Sequence, residues 1–224
     1  MREIVLDTET TGLDPSQGHR IIEIGAIEVV NRLPTGQRFH RYINPMREID
    51  PSAVRVHGLT NEKLADMPVF EQVAAEFLAF MGESPLVAHN ARFDINFLNH
   101  EYQWANHPAL ANEVVDTLAI ARAKFPGSQV SLDALCRRFE VDLSGRTLHG
   151  ALLDAELLAS VYLELTGGQQ PALSLADAED TAQGNANKYK QTQPRQARNF
   201  DIPAHELEQH KAFIDGIDGN LWDK

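Results

Sequence analysis

The sequence predicts an α/β layered fold with a mixed five-stranded sheet flanked by helices. Three observations predict it. Residues 1–48 carry three strand-like runs joined by short connections. From Pro51 the apolar period lengthens to helical spacing. Two more short apolar runs, Pro85–Asn90 and Glu113–Asp116, then alternate with helical segments.

Ile4–Asp7 is short and apolar, a buried first strand. "LDTETTG" (Leu6–Gly12) reads as the end of that strand running into a turn at Thr11-Gly12. Ile21–Val30 alternates apolar and acidic residues at period 2, a half-exposed strand. Gly36–Ile43 is expected as the third strand of an antiparallel meander, after a turn at Leu33–Gly36. Two short helices or turns follow, "PSAVRVHG" and "TNEKLADM". In Pro68–Gly82, Val69, Val73, Phe77 and Phe80 recur at helical spacing, with Pro at the start and Gly at the end. Asn90 is expected to cap the helix of "ARFDINFLNHEYQWA". "TLAIARAKF" should stop at Pro126-Gly127, and Ser131 should cap "LDALCRRF". "HGALLDAELLASVYLEL" is the last long helix of this domain.

Bulk properties narrow the function. The net charge of −12 argues against a broad basic footprint for nucleic acid. It leaves room for a nucleic-acid substrate held through bound cations. The single cysteine, Cys136, fits a reducing compartment and reads as a core residue. No signal peptide and no apolar run of membrane-spanning length is visible, so a soluble cytoplasmic protein without membrane contact is expected.

Four acids sit where apolar residues belong. Asp7 and Glu9 are two apart on an extended strand, so both side chains share a face, about 6.6 Å apart along the chain. No Lys or Arg lies in residues 4–19 to neutralise them. Asp94 shares a helical stripe with Phe97 and Leu98. Asp154 does the same with Leu157, Leu158, Val161 and Leu165. Asp94 or Asp154 alone also fits a helix-dipole or capping role, and Asp7 and Glu9 alone fit polar residues gathered at a strand end. Together, four oxygens on apolar faces suit hard cations, Mg²⁺ or Mn²⁺. Two such ions suit in-line phosphodiester hydrolysis. His149, five residues before Asp154, could take a proton at neutral pH. An exposed loop histidine is the alternative.

"DTETTG", "HNARFD" and "HGALLDA" resemble the three motifs of the DEDDh 3′–5′ exonucleases. The similarity covers about residues 1–168 and continues in "IIEIGA", "VHGLT", "SLDALC" and "VYLELTGG". The resemblance implies an RNase H-like domain. It implies that Asp7, Glu9, Asp94 and Asp154 bind two divalent ions, Mg²⁺ or Mn²⁺, and that His149 is the general base. It implies a single-stranded or frayed DNA 3′ end as substrate, contacted by Asp7, Glu9, Thr10, Leu13 and His57. Ser52 stands where such enzymes can carry a substrate-facing acid, and departs from that pattern. The motifs alone leave a related ribonuclease acting on RNA 3′ ends as the alternative.

The chain is longer than those motifs need. From Thr166 to Arg198 the only large apolar residues are Leu173, Leu175 and Tyr189, too few to order the segment. The expected division is an exonuclease domain at 1–168, a flexible linker at 169–198, and a C-terminal helical segment at 199–224. By resemblance to proofreading members of the family, the tail binds the catalytic (alpha) subunit of a replicative DNA polymerase. Phe213, Ile214, Ile217, Leu221 and Trp222 are its candidate anchors. In "QPALSL", Gln170, Leu173 and Leu175 match a short sliding-clamp-binding pattern. A nucleoid-associated replisome in the bacterial cytoplasm is the implied location.

Overall fold

The computed structural model describes residues 1–143, 148–167 and 203–216. The chain divides into two units, 1–172 and 173–224. The first contains a five-stranded sheet: β1 (Arg2–Thr10), β2 (Ile21–Val30), β3 (Leu33–Tyr42), β4 (Leu86–Ala88) and β5 (Val114–Asp116). The strand order is β3-β2-β1-β4-β5. The first three strands are antiparallel, and β4 and β5 run parallel to β1, so the sheet is mixed as predicted.

Alternation along β1 explains the layers. Ile4 and Leu6 face one side, in a core with Phe70, Phe77, Phe97, Leu98 and Tyr102. These come from helices α3 (Phe70–Met81) and α4 (Arg92–Trp104). Val5 faces the other side with Ile27, Val29 and Val87, against Leu158, Ala159 and Tyr162. That second cover is α7 (Ala151–Leu165), itself backed by α5 (Thr117–Lys124) and α6 (Leu132–Arg138). Cys136 is buried in this layer, as expected of a core residue. Two short helices, α1 (Pro51–His57) and α2 (Asn61–Leu64), close over Ile22 and Ile49.

Three local expectations are corrected. The β2–β3 turn falls at Asn31-Arg32, not at Leu33–Gly36. Both residues take positive φ, 51° and 68°, which lets a two-residue hairpin match the twist of its strands. Pro34 and Gly36 instead lie within β3, where the β2–β3 register shifts between Ile27 and Val29. Asn90 does not cap α4. It holds φ 67° in the preceding turn, and α4 begins at Arg92 without a side-chain cap. Asn tolerates this conformation because its short amide bonds locally. Finally, β1 continues through Thr10, so Asp7 and Glu9 lie inside the strand rather than at its end. Ser131 does cap α6, accepting from the Ala134 N–H at 3.3 Å.

In the second unit, α8 (Ala204–Asp215) is the described element, with Leu207 and Phe213 exposed. The expected clamp-binding residues Gln170, Leu173 and Leu175, and Ile217, Leu221 and Trp222 of the tail, lie outside the described residues. Among the described residues no helix is long and apolar enough to cross a membrane.

Candidate active site

The site forms where β1 meets the first turns of α4 and α7. The period-2 alternation that points Val5 toward α7 also points Asp7 and Glu9 there. Asp154 lies in the first turn of α7, and its N–H donates to Gly150 C=O at 2.9 Å. One ligating atom each from Glu9, His149 and Asp154 lies within 4.8 Å of the others. His149 Nδ1 is 3.1 Å from Asp154 Oδ2. The His149 ring is half-exposed, while Asp154 is buried. The His149 N–H donates to Val56 C=O of α1, which fixes its backbone independently of the ring.

Asp94 reaches the site from the other layer. It sits in the first turn of α4 and is 3% exposed. Thr8, which points toward α4, donates its hydroxyl to Asp94 Oδ1 at 2.7 Å. Thus one tripeptide of β1 serves both layers: Asp7 and Glu9 face α7, and Thr8 orients Asp94.

The electrostatics are those of crowded acids. Asp7 is pushed well above the usual carboxylate range, first by burial and then by Asp94, Glu9, Asp154 and Glu23. Asp94 is raised to about 7, mainly by burial, against the lowering effect of its hydrogen bond from Thr8. Carboxylates packed this way disfavour one another's ionised forms. A divalent cation among them reverses that, and buried oxygens suit a hard ion. The residues present therefore fit divalent metal.

Beside the acids opens a cavity of about 540 Å³. Glu9, Thr10, Leu13, Ser52 and His57 line it, so five of the sequence-selected substrate contacts share one wall system. Leu13 is 85% exposed, while His57 is buried. His57 Nδ1 accepts from the Leu59 N–H at 3.0 Å, which puts the ring proton on Nε2. Burial also lowers the His57 pKa, favouring the neutral ring. Thr10 donates its hydroxyl to Gly12 C=O at 2.6 Å, so it shapes the loop as well as lining the cavity.

The RNase_T exonuclease family profile matches residues 4–162. The chain belongs to the exonuclease family. It is 50% identical over 222 residues to the DNA polymerase III subunit epsilon of Rickettsia felis, covering 97% of each chain. It is 46% identical over 225 residues to the subunit of that name from Escherichia coli strain K12, covering 96% of this chain and 92% of that one. A solved structure of exonuclease X in complex with 5′ overhanging duplex DNA aligns at TM-score 0.59 and 28% identity, over 74% of this chain and 90% of that one. Asp7, Glu9, Asp94, His149 and Asp154 all fall inside the matched exonuclease span.

Several contributors to this candidate site were not singled out from sequence. Thr8 is one, although its place between two acids was visible. Phe93, Val56, Asp14, Gln17 and His19 also line the cavity. Gly25 is the most consequential. It pairs with Asp7 across the β1–β2 ladder. A Cβ there would lie 2.1 Å from Leu152 N and 2.4 Å from Ala151 O. The backbone of α7 thus rests directly on the sheet, and this brings Asp154 to Glu9. A glycine inside a strand pattern is the signal that could have marked this close approach. Gly25→Ala should displace the start of α7, lowering kcat/KM about 100-fold and stability by about 1–3 kcal/mol. Steady-state kinetics and thermal unfolding check this; unaltered kinetics would show that α7's close approach does not set the site.

Proposed function

We propose that this chain is the proofreading 3′–5′ exodeoxyribonuclease of a bacterial replicative DNA polymerase, removing mispaired 3′-terminal nucleotides as nucleoside 5′-monophosphates. The convergence of four carboxylates and His149 beside the cavity carries this reading. The near-full-length similarity to epsilon subunits supports the choice of DNA and of a replisome in the cytoplasm.

In this reading Asp7, Glu9, Asp94 and Asp154 hold two divalent ions, Mg²⁺ or Mn²⁺. The ions supply Lewis-acid chemistry for in-line displacement at the terminal phosphodiester. The cavity receives the 3′-terminal nucleotide. Leu13 offers exposed apolar surface on which an unstacked base can rest, and His57 forms part of the same cavity wall. His149 accepts the proton of the attacking water at Nε2. Its Nδ1–H donates to Asp154, which fixes the tautomer and the ring plane. A second reading makes His149 a metal ligand, because its ligating atom lies close to those of Glu9 and Asp154.

The remaining parts of the proposal concern tethering. Residues 1–168 form the nuclease, 169–198 a linker with a clamp-binding motif at Gln170, Leu173 and Leu175, and 199–224 the polymerase-binding segment. Phe213, exposed on α8, and Ile217, Leu221 and Trp222 would contact the polymerase alpha subunit. A tether holds the nuclease at high local concentration near the primer end, so an acidic body needs little DNA affinity of its own.

The deciding experiment is divalent-ion-dependent digestion of a mispaired DNA primer, with and without the polymerase catalytic subunit, beside a matched RNA primer. Faster release from the mispaired DNA end, abolished by chelation, is expected. A preference for RNA ends would replace the proofreading reading with a ribonuclease one.

A further inference from the structure

One side of the cavity that would receive the DNA end is a closed loop, and Arg20 closes it. The Thr11 N–H donates to Arg20 C=O at 2.9 Å. The Arg20 N–H returns a bond to Thr11 Oγ1 at 3.0 Å. Inside the loop, Thr11 Oγ1 lies 3.1 Å from His19 Nδ1, and Gly12 packs on the His19 ring with no room for a Cβ. The loop between these ends carries Leu13, Asp14, Gln17 and His19 of the cavity wall. It is therefore internally tight, and its position depends on where its base is held.

The base is held by α4. Arg20 Nε donates to Glu101 Oε1 at 2.9 Å, and Nη2 donates to Oε2 at 2.7 Å. Glu101 Oε1 also accepts the Ile21 N–H at 2.9 Å. Glu101 is 1% exposed. The guanidinium lies 4.8 Å over the Trp104 ring, one turn further along α4. Glu101 is seven residues, two helical turns, from Asp94 on the same helix and the same buried face. One rigid element therefore carries a carboxylate of the cluster at one end and the anchor of the receiving loop at the other.

We propose that Arg20 and Glu101 are a positioning pair that sets the receiving loop at a fixed distance from the carboxylate cluster, and so places the scissile phosphodiester of DNA over it. The proposal rests on the nuclease reading above. A buried ion pair is a poor source of net stability compared with apolar packing. What the planar fork supplies is direction: two parallel bonds, plus a backbone N–H on the same carboxylate, fix the loop base in register with α4. Lys keeps the charge and loses the fork.

The test uses the full chain with Arg20→Lys and Glu101→Gln, and two substrates assayed with Mn²⁺. One is a single-stranded DNA oligonucleotide. The other is bis(p-nitrophenyl) phosphate, a diester with no nucleoside to seat in the cavity. Both variants should raise KM for DNA about ten-fold or more and leave hydrolysis of the small diester within about two-fold. Trp104→Leu, which keeps the ion pair and removes only the stacked ring, should give a smaller rise of KM in the same direction. Equal losses on both substrates would assign the pair a purely structural role and overturn the proposal. So would unchanged kinetics on DNA. A wild-type chain that hydrolyses the small diester and leaves DNA intact would overturn the nuclease reading and the pair with it.

Discussion

Asp94→Asn is expected to abolish nuclease activity and, in metal-free buffer above pH 7, to raise thermal stability. The activity loss should reach about 10³-fold or more, as when one member of a concerted site is removed. The stability gain follows from the burial of Asp94, whose carboxyl is raised to about 7. The unfolded chain ionises this acid near pH 4. Between about pH 4 and 7 the native state therefore binds more protons than the unfolded state. Stability of the metal-free protein thus falls as pH rises through that window, and the loss is complete above it. Asn has no charge to bury, yet its Oδ1 can still accept from Thr8. The melting temperature of Asp94→Asn should exceed that of the wild type by about 5 °C at pH 8 in chelator, on the scale of ~2–4 °C per kcal/mol for a domain this size. The difference should shrink toward pH 4. Added Mn²⁺ should reverse the order by stabilising the wild type more. A variant less stable than wild type at pH 8 without metal would mean that burial of the ionised Asp94 carboxylate costs the native state nothing.

His149→Ala should lower kcat by about 10²–10⁴-fold while Mn²⁺ affinity, read by calorimetry on the unreacted protein, changes little. The ring is half-exposed, and its backbone is held by Val56 C=O, so truncation should leave the fold and the carboxylates in place. Asp154 loses one hydrogen-bond partner and keeps its seat in the first turn of α7. The contrast with Asp94→Asn is the useful part. One variant removes a charge from the proposed metal cluster, and the other removes the proposed proton acceptor beside it. A fall in Mn²⁺ affinity comparable to that of Asp94→Asn would make His149 a ligand.

Periodicity made the layers legible. The acids were legible because each broke an apolar stripe: Asp94 with Phe97 and Leu98, and Asp154 with Leu157, Leu158 and Val161. Burial of both side chains follows that pattern. Turn positions were less legible. Pro34 and Gly36 advertise a turn more strongly than Asn31-Arg32, yet the register with β2 placed the hairpin two residues earlier. Asn90 looked like a cap because of its type, and took a left-handed turn because the chain must reverse from β4 into α4.

The sequence by itself determined which side chains could do chemistry, because a carboxylate on an apolar stripe is costly and therefore informative. Only the tertiary structure decided how they meet. Thr8 had no visible partner until α4 brought Asp94 beside it. Gly25 had no visible purpose until α7 was found resting on it. Arg20 and Glu101, 81 residues apart, could not be paired by any local pattern. Periodicity reports which face a residue occupies; the distance between two faces is set by packing, and packing depends on residues far apart in the chain.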